Sequence, residues 1–492
     1  MRRIRPPDQL LDPLFNERGL TVGALLLILI LVGAGWWWVL RASGPSRTAE
    51  GGPEPSTSTA SSLPPVPPNP VPDRSPRRTP DPAVAPTPST DGPQAAALQA
   101  IATLLDQQRV VDAETALTSL APDLLPQGQG TEAASSLWNN LGVLKQKRGG
   151  PTAGITAYQK ALTLHPQNQA AMLNLTQAYW QTKDTALTQD MLERAVSMAP
   201  TEAWPHVALA DLQYDKDDLA GAKQHLDQAL QVASPTSDSQ PYLKALAAKL
   251  SRAEQAERSY VSRESRHFVV KFNGNEDYDM WTRVLGILEE AYREIGQRFS
   301  YFPSRPIIVV LHTKESFPSA TGSPAWADGL FDPMLGRIQM PTQGASTDPQ
   351  RLARVLRHEF VHALLHQRMD GRLGAVPTWL NEGLAMQLAG DPWPDIDQIA
   401  RGPVTVAPLN NLEGGWGGLP HTAAMVAYLE GNSATRYLID RYGMGKVQDL
   451  LSDLARRQPL TAALHDQLST SYEEFQRQWV NELNARVQTG KS

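Results

Sequence analysis

The sequence predicts a multidomain chain with an N-terminal transmembrane helix, an all-α repeat solenoid and a C-terminal α+β domain. The first 40 residues contain a long uncharged apolar run, the middle repeats itself every 34 residues, and short β-rich runs alternate with helical ones after residue 260. At 492 residues the chain is also too long for one hydrophobic core. We predict a cytoplasmic N-terminus (1–19), a transmembrane helix (20–40), a Pro-rich disordered linker (41–94), a repeat domain (95–260) and the C-terminal domain (261–492).

The composition excludes several functional classes. The formal net charge is −6, and no cluster of Lys and Arg lies beside aromatic residues, so nucleic-acid binding is not expected. Cysteine is absent, which rules out disulfides, a thiol nucleophile and Cys-ligated metal. Any metal site in this chain must use His, Asp and Glu.

The apolar run predicts one membrane crossing. The 21 residues from Leu20 to Leu40 carry no charge, and at about 1.5 Å per residue they span a hydrocarbon core of about 30 Å. Arginines are denser before this run than after it, so we expect a single-pass membrane protein with its C-terminal domains on the extracytoplasmic side. A cleaved signal peptide is the alternative, but its apolar region is normally about 7 to 15 residues.

The segment that follows is rich in proline. Between residues 42 and 94 lie 15 of the 40 prolines and no Phe, Trp or Tyr. Such a segment buries too little apolar surface to offset the entropy of the chain, which predicts a disordered, extended spacer. A Pro-rich ligand for a partner domain is the alternative.

Three units of 34 residues follow one another in the middle of the chain. The first contains Trp138, Leu141, Gly142, Gly154, Tyr158, Ala161 and Pro166, and similar residues recur 34 and 68 positions later. Small residues at fixed positions of such a unit let two antiparallel helices pack closely, and the pattern resembles the tetratricopeptide repeat. The resemblance implies either a surface that recruits a protein partner or a rigid spacer.

A capped helix in the C-terminal domain carries two histidines. Asp348 and Pro349 are typical of a helix start, and the sequence continues to Arg368 with HEFVH at residues 358–362. Four residues advance a helix by about 400°, so the imidazoles of His358 and His362 point about 40° apart and can converge on one metal ion. Glu359 points elsewhere, where a general base could reach a metal-bound water.

The segment PTWLNEGLA at residues 377–385 adds a third candidate ligand. Together with HEFVH it resembles the gluzincin zinc metallopeptidases, and especially the peptidase MA-like family. The resemblance implies that Glu382 is the third zinc ligand. Two imidazoles and one carboxylate leave a fourth position for water, although the same set also suits non-haem iron.

The motif Y-x-x-G at Tyr428 and Gly431 matches gluzincin aminopeptidases, in which the phenol stabilises the oxyanion. A core tyrosine is the alternative interpretation. His366 is predicted to be a surface or supporting group, His421 a loop residue, and Glu289 with Glu290 a solvated helix face. Met386 occupies the position of an aspartate that orients a ligand in thermolysin-like enzymes, so the supporting partner is not identified.

The resemblance implies a membrane-anchored zinc peptidase whose repeats recruit a protein substrate or partner. The amine-binding motif G-x-M-x-N of the aminopeptidases does not occur between residues 307 and 350, which favours an endopeptidase. The hairpin predicted at Ala327–Met340 would bind a peptide by strand addition. The alternatives are an inactive scaffold that binds metal or peptide, and an enzyme that acts on cell-wall peptides.

Overall fold

A computed structural model describes most of the chain from residue 95 onward. The described residues are 15–16, 19–20, 82–85, 95–120, 129–182, 184, 186–234, 240–274, 280–323, 327–342, 348–390, 394–400, 402–416 and 419–489. The chain divides into two compact units, Ser75–Gln255 and Ala256–Ser492 with Met1–Arg74. The described residues are predominantly helical.

The predicted fold class is wrong because it includes a transmembrane helix, and the predicted single-pass membrane location is wrong as well. No helix that the structure describes is both long and apolar enough to cross a membrane. Even the longest, His421–Ala455, interrupts its apolar residues with charged ones. Leu20 is extended, since β1 (Phe15–Asn16) pairs antiparallel with β2 (Gly19–Leu20). Residues 21–40, and nearly all of the predicted N-terminal segment and linker, lie outside the described residues.

The unit Ser75–Gln255 is built from antiparallel helices that follow one another in pairs. Close packing within one pair depends on glycine, because a Cβ on Gly142 would lie 2.5 Å from the Tyr158 ring and one on Gly154 would lie 2.9 Å from the Gly142 carbonyl oxygen. The helices are α1 (Ala95–Asp106), α2 (Val110–Ser119), α3 (Gln129–Gly149), α4 (Pro151–Leu164), α5 (Gln169–Thr182), α6 (Gln189–Met198), α7 (Trp204–Asp215), α8 (Leu219–Val232) and α9 (Gln240–Glu257).

The C-terminal unit contains a mixed five-stranded sheet. Its strands are β3 (Tyr260–Glu264), β4 (Phe268–Asn273), β5 (Ile307–His312), β6 (Leu330–Asp332) and β7 (Arg337–Pro341), in the order β3-β4-β5-β7-β6. The three central strands are parallel, whereas β3 and β6 join antiparallel at the two edges. The predicted hairpin is therefore confirmed, and its first strand, β6, is an edge of the sheet.

The helices of this unit are α10 (Met280–Phe299), α11 (Ser316–Thr321), α12 (Pro349–Arg368), α13 (Thr378–Ala389), α14 (Ile396–Ile399), α15 (His421–Ala455), α16 (Leu460–Leu468) and α17 (Tyr472–Thr489). Among them, α10 and α12 pack on the apolar face of the sheet. Alternate residues of β4 and β5, including Phe268 and Val309, pack with Val284 of α10 and Phe360 of α12 in one large core. The two-residue alternation along the strands fixes which side chains enter that core.

The opposite sheet face carries buried polar residues. Glu257, at the end of α9, forms ion pairs of 2.6 Å with Lys271 and 2.7 Å with Arg337. His312 Nε2 lies 2.9 Å from the Gln339 side-chain oxygen. Burial lowers the His312 pKa to about 4, so this imidazole is neutral at pH 7.

Candidate metal centre

The helix α12 begins as its sequence predicts. One carboxylate oxygen of Asp348 accepts the backbone N–H groups of Gln350 and Arg351, and Pro349 occupies the first helical position. Ten residues further on, His358 and His362 project from the same side, with ring centroids 4.9 Å apart. Both imidazoles are buried. The four-residue spacing therefore brings them together as expected.

The chain then reverses and α13 brings Glu382 to the two histidines. Gly371 adopts a φ of +81° in the reversal, a conformation that favours glycine. Glu382 Oε2 lies 3.4 Å from His358 Nε2 and 3.6 Å from His362 Nε2. One ligand atom from each of the three residues lies within 4.8 Å of the others, and all three residues are buried. The structure thus gathers the three predicted ligands in one place.

Asn381 supports one of these histidines. Its side-chain oxygen lies 3.1 Å from His362 Nδ1 in a buried contact. Because an amide oxygen only accepts, the Nδ1–H group donates to Asn381, and Nε2 is the nitrogen that faces Glu382. The sequence motifs do not identify this partner. The asparagine that precedes the glutamate in PTWLNEGLA was the signal that could have identified it.

The three groups perturb one another electrostatically. Burial raises the pKa of Glu382, but the His362 and His358 imidazoles oppose it and bring the pKa down to about 2. Burial lowers the pKa of His362, but the Glu382 carboxylate outweighs it, so the pKa lies above its ordinary value. Glu382 is therefore ionised at neutral pH and available as an anionic ligand.

Glu359 lies beside the three ligands without belonging to their set. It is buried, and its carboxylate accepts a hydrogen bond from the Phe331 backbone N–H on the edge strand β6. Burial raises the Glu359 pKa, although the two imidazoles lower it. Among the residues that the structure describes, its Oε1 has no hydrogen-bond partner. A buried carboxyl with a raised pKa and a free oxygen suits proton transfer.

The helices α13 and α15 cross closely beside Glu382. A Cβ on Gly383 would lie 2.6 Å from the Gly431 carbonyl oxygen, and one on Gly431 would lie 2.9 Å from the Trp379 carbonyl oxygen. Tyr428, one turn before Gly431, is buried with its ring 5.0 Å from that of Trp416 and nearly perpendicular to it. The structure thus places Tyr428 on the helix that packs against the one bearing Glu382.

The remaining candidates have different surroundings. His366 is buried, with its ring 5.1 Å from that of Phe331. Glu289 is not a purely solvated group, since it accepts from Ser265 at 2.6 Å and lies 2.7 Å from His267 Nδ1. The side chain of His421 lies outside the described residues. No metal-binding role was predicted for His366, Glu289 or His421.

The donor set fits a divalent metal ion. In the described part of the chain, neither carboxylate oxygen of buried Glu382 has a hydrogen-bond partner. An isolated buried carboxylate is costly unless it is paired or coordinates a metal, and neutral imidazole is a preferred ligand of zinc. In this buried set, Glu382 is the carboxylate that a metal ion would compensate, and His358 and His362 supply the imidazole ligands.

Comparison with known proteins assigns the region around this site to a family. Residues 323–485 match the model of the Peptidase MA superfamily. The match includes all three candidate ligands, Glu359 and Tyr428. No curated protein matches the chain. The C-terminal unit thus contains a peptidase MA-like domain, as the sequence motifs predict, and this domain is peptidase-like.

Proposed function

We propose that the C-terminal unit is a zinc-dependent peptidase. The observation that carries this proposal is the buried convergence of His358, His362 and Glu382 beside a separate buried carboxyl, Glu359. The match to the Peptidase MA superfamily supports the same reaction class. A zinc ion held there would supply an acidified water and a Lewis acid.

Each side chain then has a defined task. His358 and His362 would hold the ion through Nε2, and Asn381 fixes the orientation of His362. Glu359 takes a proton from the attacking water and delivers it to the leaving amine, for which a raised pKa is favourable. The Tyr428 hydroxyl donates a hydrogen bond to the oxyanion of the substrate.

The edge strand β6 is the proposed binding surface for the substrate backbone. Among the strands that the structure describes, it pairs with β7 alone, and the Phe331 N–H links it directly to Glu359. An extended peptide could therefore add to this edge next to the general base. The sequence between residues 307 and 350 lacks the amine-binding motif of aminopeptidases, so we propose endopeptidase cleavage. For the helical unit Ser75–Gln255 we propose recruitment of a protein partner or substrate through tetratricopeptide-like repeats.

Metal analysis and a peptide library test the proposal on the full chain. The parent should bind one zinc per chain and cleave peptides internally. His358→Ala and Glu382→Ala should lose zinc, whereas His366→Gln, a buried histidine of the same helix outside the ligand set, should retain it.

Two variants separate binding from chemistry. Glu359→Gln should keep zinc and lose turnover, and Tyr428→Phe should keep zinc while kcat falls by about 10²- to 10³-fold. A parent that binds no zinc at saturating zinc, or binds iron instead, would contradict the metal assignment. Zinc binding without cleavage by the parent would support the inactive-scaffold alternative.

A further inference from the structure

A short extended segment lies against the helices of the unit Ser75–Gln255. Residues 82–85 (Pro-Ala-Val-Ala) belong to the proline-rich part of the sequence, and they are hydrogen-bonded to side chains of α3 and α5. The Ala85 side chain is buried, whereas Val84 is 64% exposed. Ala83 is exposed as well, so of residues 83–85 only Ala85 buries its side chain against the helices.

Two asparagines bind the main chain of this segment in the same way. Asn174 accepts the Ala83 N–H at 2.9 Å and donates to the Ala83 carbonyl oxygen at 3.0 Å. Asn140 accepts the Ala85 N–H at 2.8 Å and donates to the Ala85 carbonyl oxygen at 2.9 Å. Each side-chain amide thus pairs with both polar groups of one residue, and the intervening Val84 makes none of these bonds.

A third asparagine holds the other two in position. Asn139 is fully buried, accepts from Asn174 Nδ2 at 2.8 Å and lies with its own Nδ2 3.1 Å from Asn140 Oδ1. The same Nδ2 donates to the Ala83 carbonyl oxygen at 2.9 Å. We call Asn139, Asn140 and Asn174 the asparagine ladder. Because its members orient one another, the ladder is organised to receive a peptide backbone.

The ladder follows the 34-residue period of the sequence. Asn140 and Asn174 occupy the same position in successive units, and Ala208 stands at that position in the third. Asn140 of the first unit binds Ala85, and Asn174 of the second unit binds Ala83. The bound residues therefore lie two positions apart, and the segment runs opposite to the order of the units. Ala208 has no side-chain amide, so the third unit cannot extend the row of asparagines. Asn140 and Asn174 therefore define a site for three consecutive peptide residues, here 83–85.

The sequence of the segment suits this site. Prolines at 82 and 86 flank the three residues, and a residue before proline is restricted to extended conformations. The buried position of Ala85 requires a small side chain, whereas the exposed Val84 position imposes no such requirement. The recognised chemistry is therefore a peptide backbone with a small residue at the Ala85 position and no side-chain requirement at the two positions before it.

We propose that the asparagine ladder is a binding site for the main chain of peptide segments with a small residue at the third position (X-X-Ala), and that residues 82–85 occupy it as an intramolecular ligand. A peptide of the same chemistry from a second protein must displace this segment before it binds. A tethered ligand acts at a high effective concentration, about millimolar for a short flexible linker, so self-occupancy weakens binding of the second protein. The proposal deepens the recruitment role proposed above, on which it rests, and needs neither metal nor peptidase activity.

Fluorescence anisotropy tests self-occupancy with a labelled peptide of residues 79–88 (TPDPAVAPTP). The full chain carries Glu359→Gln throughout, which prevents cleavage of the probe. Ala83→Pro with Ala85→Pro removes both N–H groups that bind the ladder, and Val84→Pro is the matched control because Val84 contributes no such bond. We expect the double variant to bind the probe at least tenfold more tightly than the parent and the Val84→Pro chain. Equal affinities, or no binding to any of the three chains, would overturn the proposal.

Modified peptides test the ladder without altering its three asparagines. On the Ala83→Pro/Ala85→Pro chain, N-methylation of the probe at its Ala83 and Ala85 equivalents should weaken binding at least tenfold, whereas N-methylation at the Val84 equivalent should not. A leucine at the Ala85 equivalent should also abolish binding, since that position is buried. Unchanged binding of the doubly methylated peptide would show that the backbone is not recognised and would refute the ladder.

Discussion

Replacement of Gly383 by alanine tests whether the close crossing of α13 and α15 positions the metal ligands. A Cβ at this position would lie 2.0 Å from Thr435 Oγ1 and 2.6 Å from the Gly431 carbonyl oxygen. The threonine side chain can rotate, but the carbonyl belongs to a helix backbone. Restoring an ordinary contact of 3.4 Å to that oxygen requires the helices to separate by about 0.8 Å at this point.

The expected cost follows from two opposing effects. Overpacking of a core costs about 1 to 3 kcal/mol, whereas alanine is favoured over glycine in a helix by about 1 kcal/mol. We therefore expect Gly383→Ala to lower the free energy of unfolding by up to about 2 kcal/mol. Gly286→Ala in α10 is the matched control, because no atom lies within 4 Å of its added Cβ, and it should stabilise by about 0.5 to 1 kcal/mol.

Two measurements separate stability from site geometry. Urea unfolding in the presence of a chelator gives the packing cost without a contribution from bound metal. A competition titration gives the zinc affinity, which we expect to fall at least tenfold, because ligand distances tolerate only about 0.2 Å while Glu382 is adjacent to the displaced residue. If Gly383→Ala were as stable as Gly286→Ala and bound zinc as tightly as the parent, the inferred helix crossing would be refuted.

Three further outcomes are expected. Asn381→Ala should weaken zinc binding about 10- to 100-fold in a competition titration, because His362 loses the acceptor that orients it; parental affinity would contradict this role. Burial raises the Glu430 pKa to about 8, although the Ala407 N–H lowers it, so the folded chain retains a proton that the unfolded chain releases near pH 4.5. The contribution of Glu430 to the free energy of unfolding should then fall by about 1.4 kcal/mol per pH unit from about pH 4.5 to 8, and the difference between the parent and Glu430→Gln in urea unfolding should follow this slope across that range. Chelation should lower the Tm and abolish cleavage, and zinc should restore both; a Tm insensitive to chelator would argue against a resident metal.

The sequence predicted those features that depend on local spacing. The helix beginning at Asp348 and the convergence of His358 with His362 follow from helix capping and the helical period. The strands β4 and β5 follow from short β-rich runs, whereas the sequence did not predict β3. These signals need only neighbouring residues, so one sequence suffices to read them.

Other features depend on which distant side chains meet. The contact of Asn381 with His362 joins two helices, and the pairing of Glu257 with Arg337 joins residues 80 positions apart. Nothing in a charge pattern along the chain shows that such groups are buried together. The transmembrane prediction weighed hydropathy in one segment alone, and no described helix is long and apolar enough to cross a membrane.

The glycines of the two C-terminal motifs have one physical explanation. In sequence, NEG at residues 381–383 and Y-x-x-G at residues 428–431 are separate strings, each with one residue of chemical interest. In the structure, Gly383 and Gly431 meet at the same crossing of α13 and α15. Any larger side chain at either position would collide with a backbone carbonyl of the other helix. The glycines are therefore required because the two helices must approach closely. That approach fixes the positions of Glu382 and Tyr428 relative to each other. Neither glycine takes part in the chemistry itself.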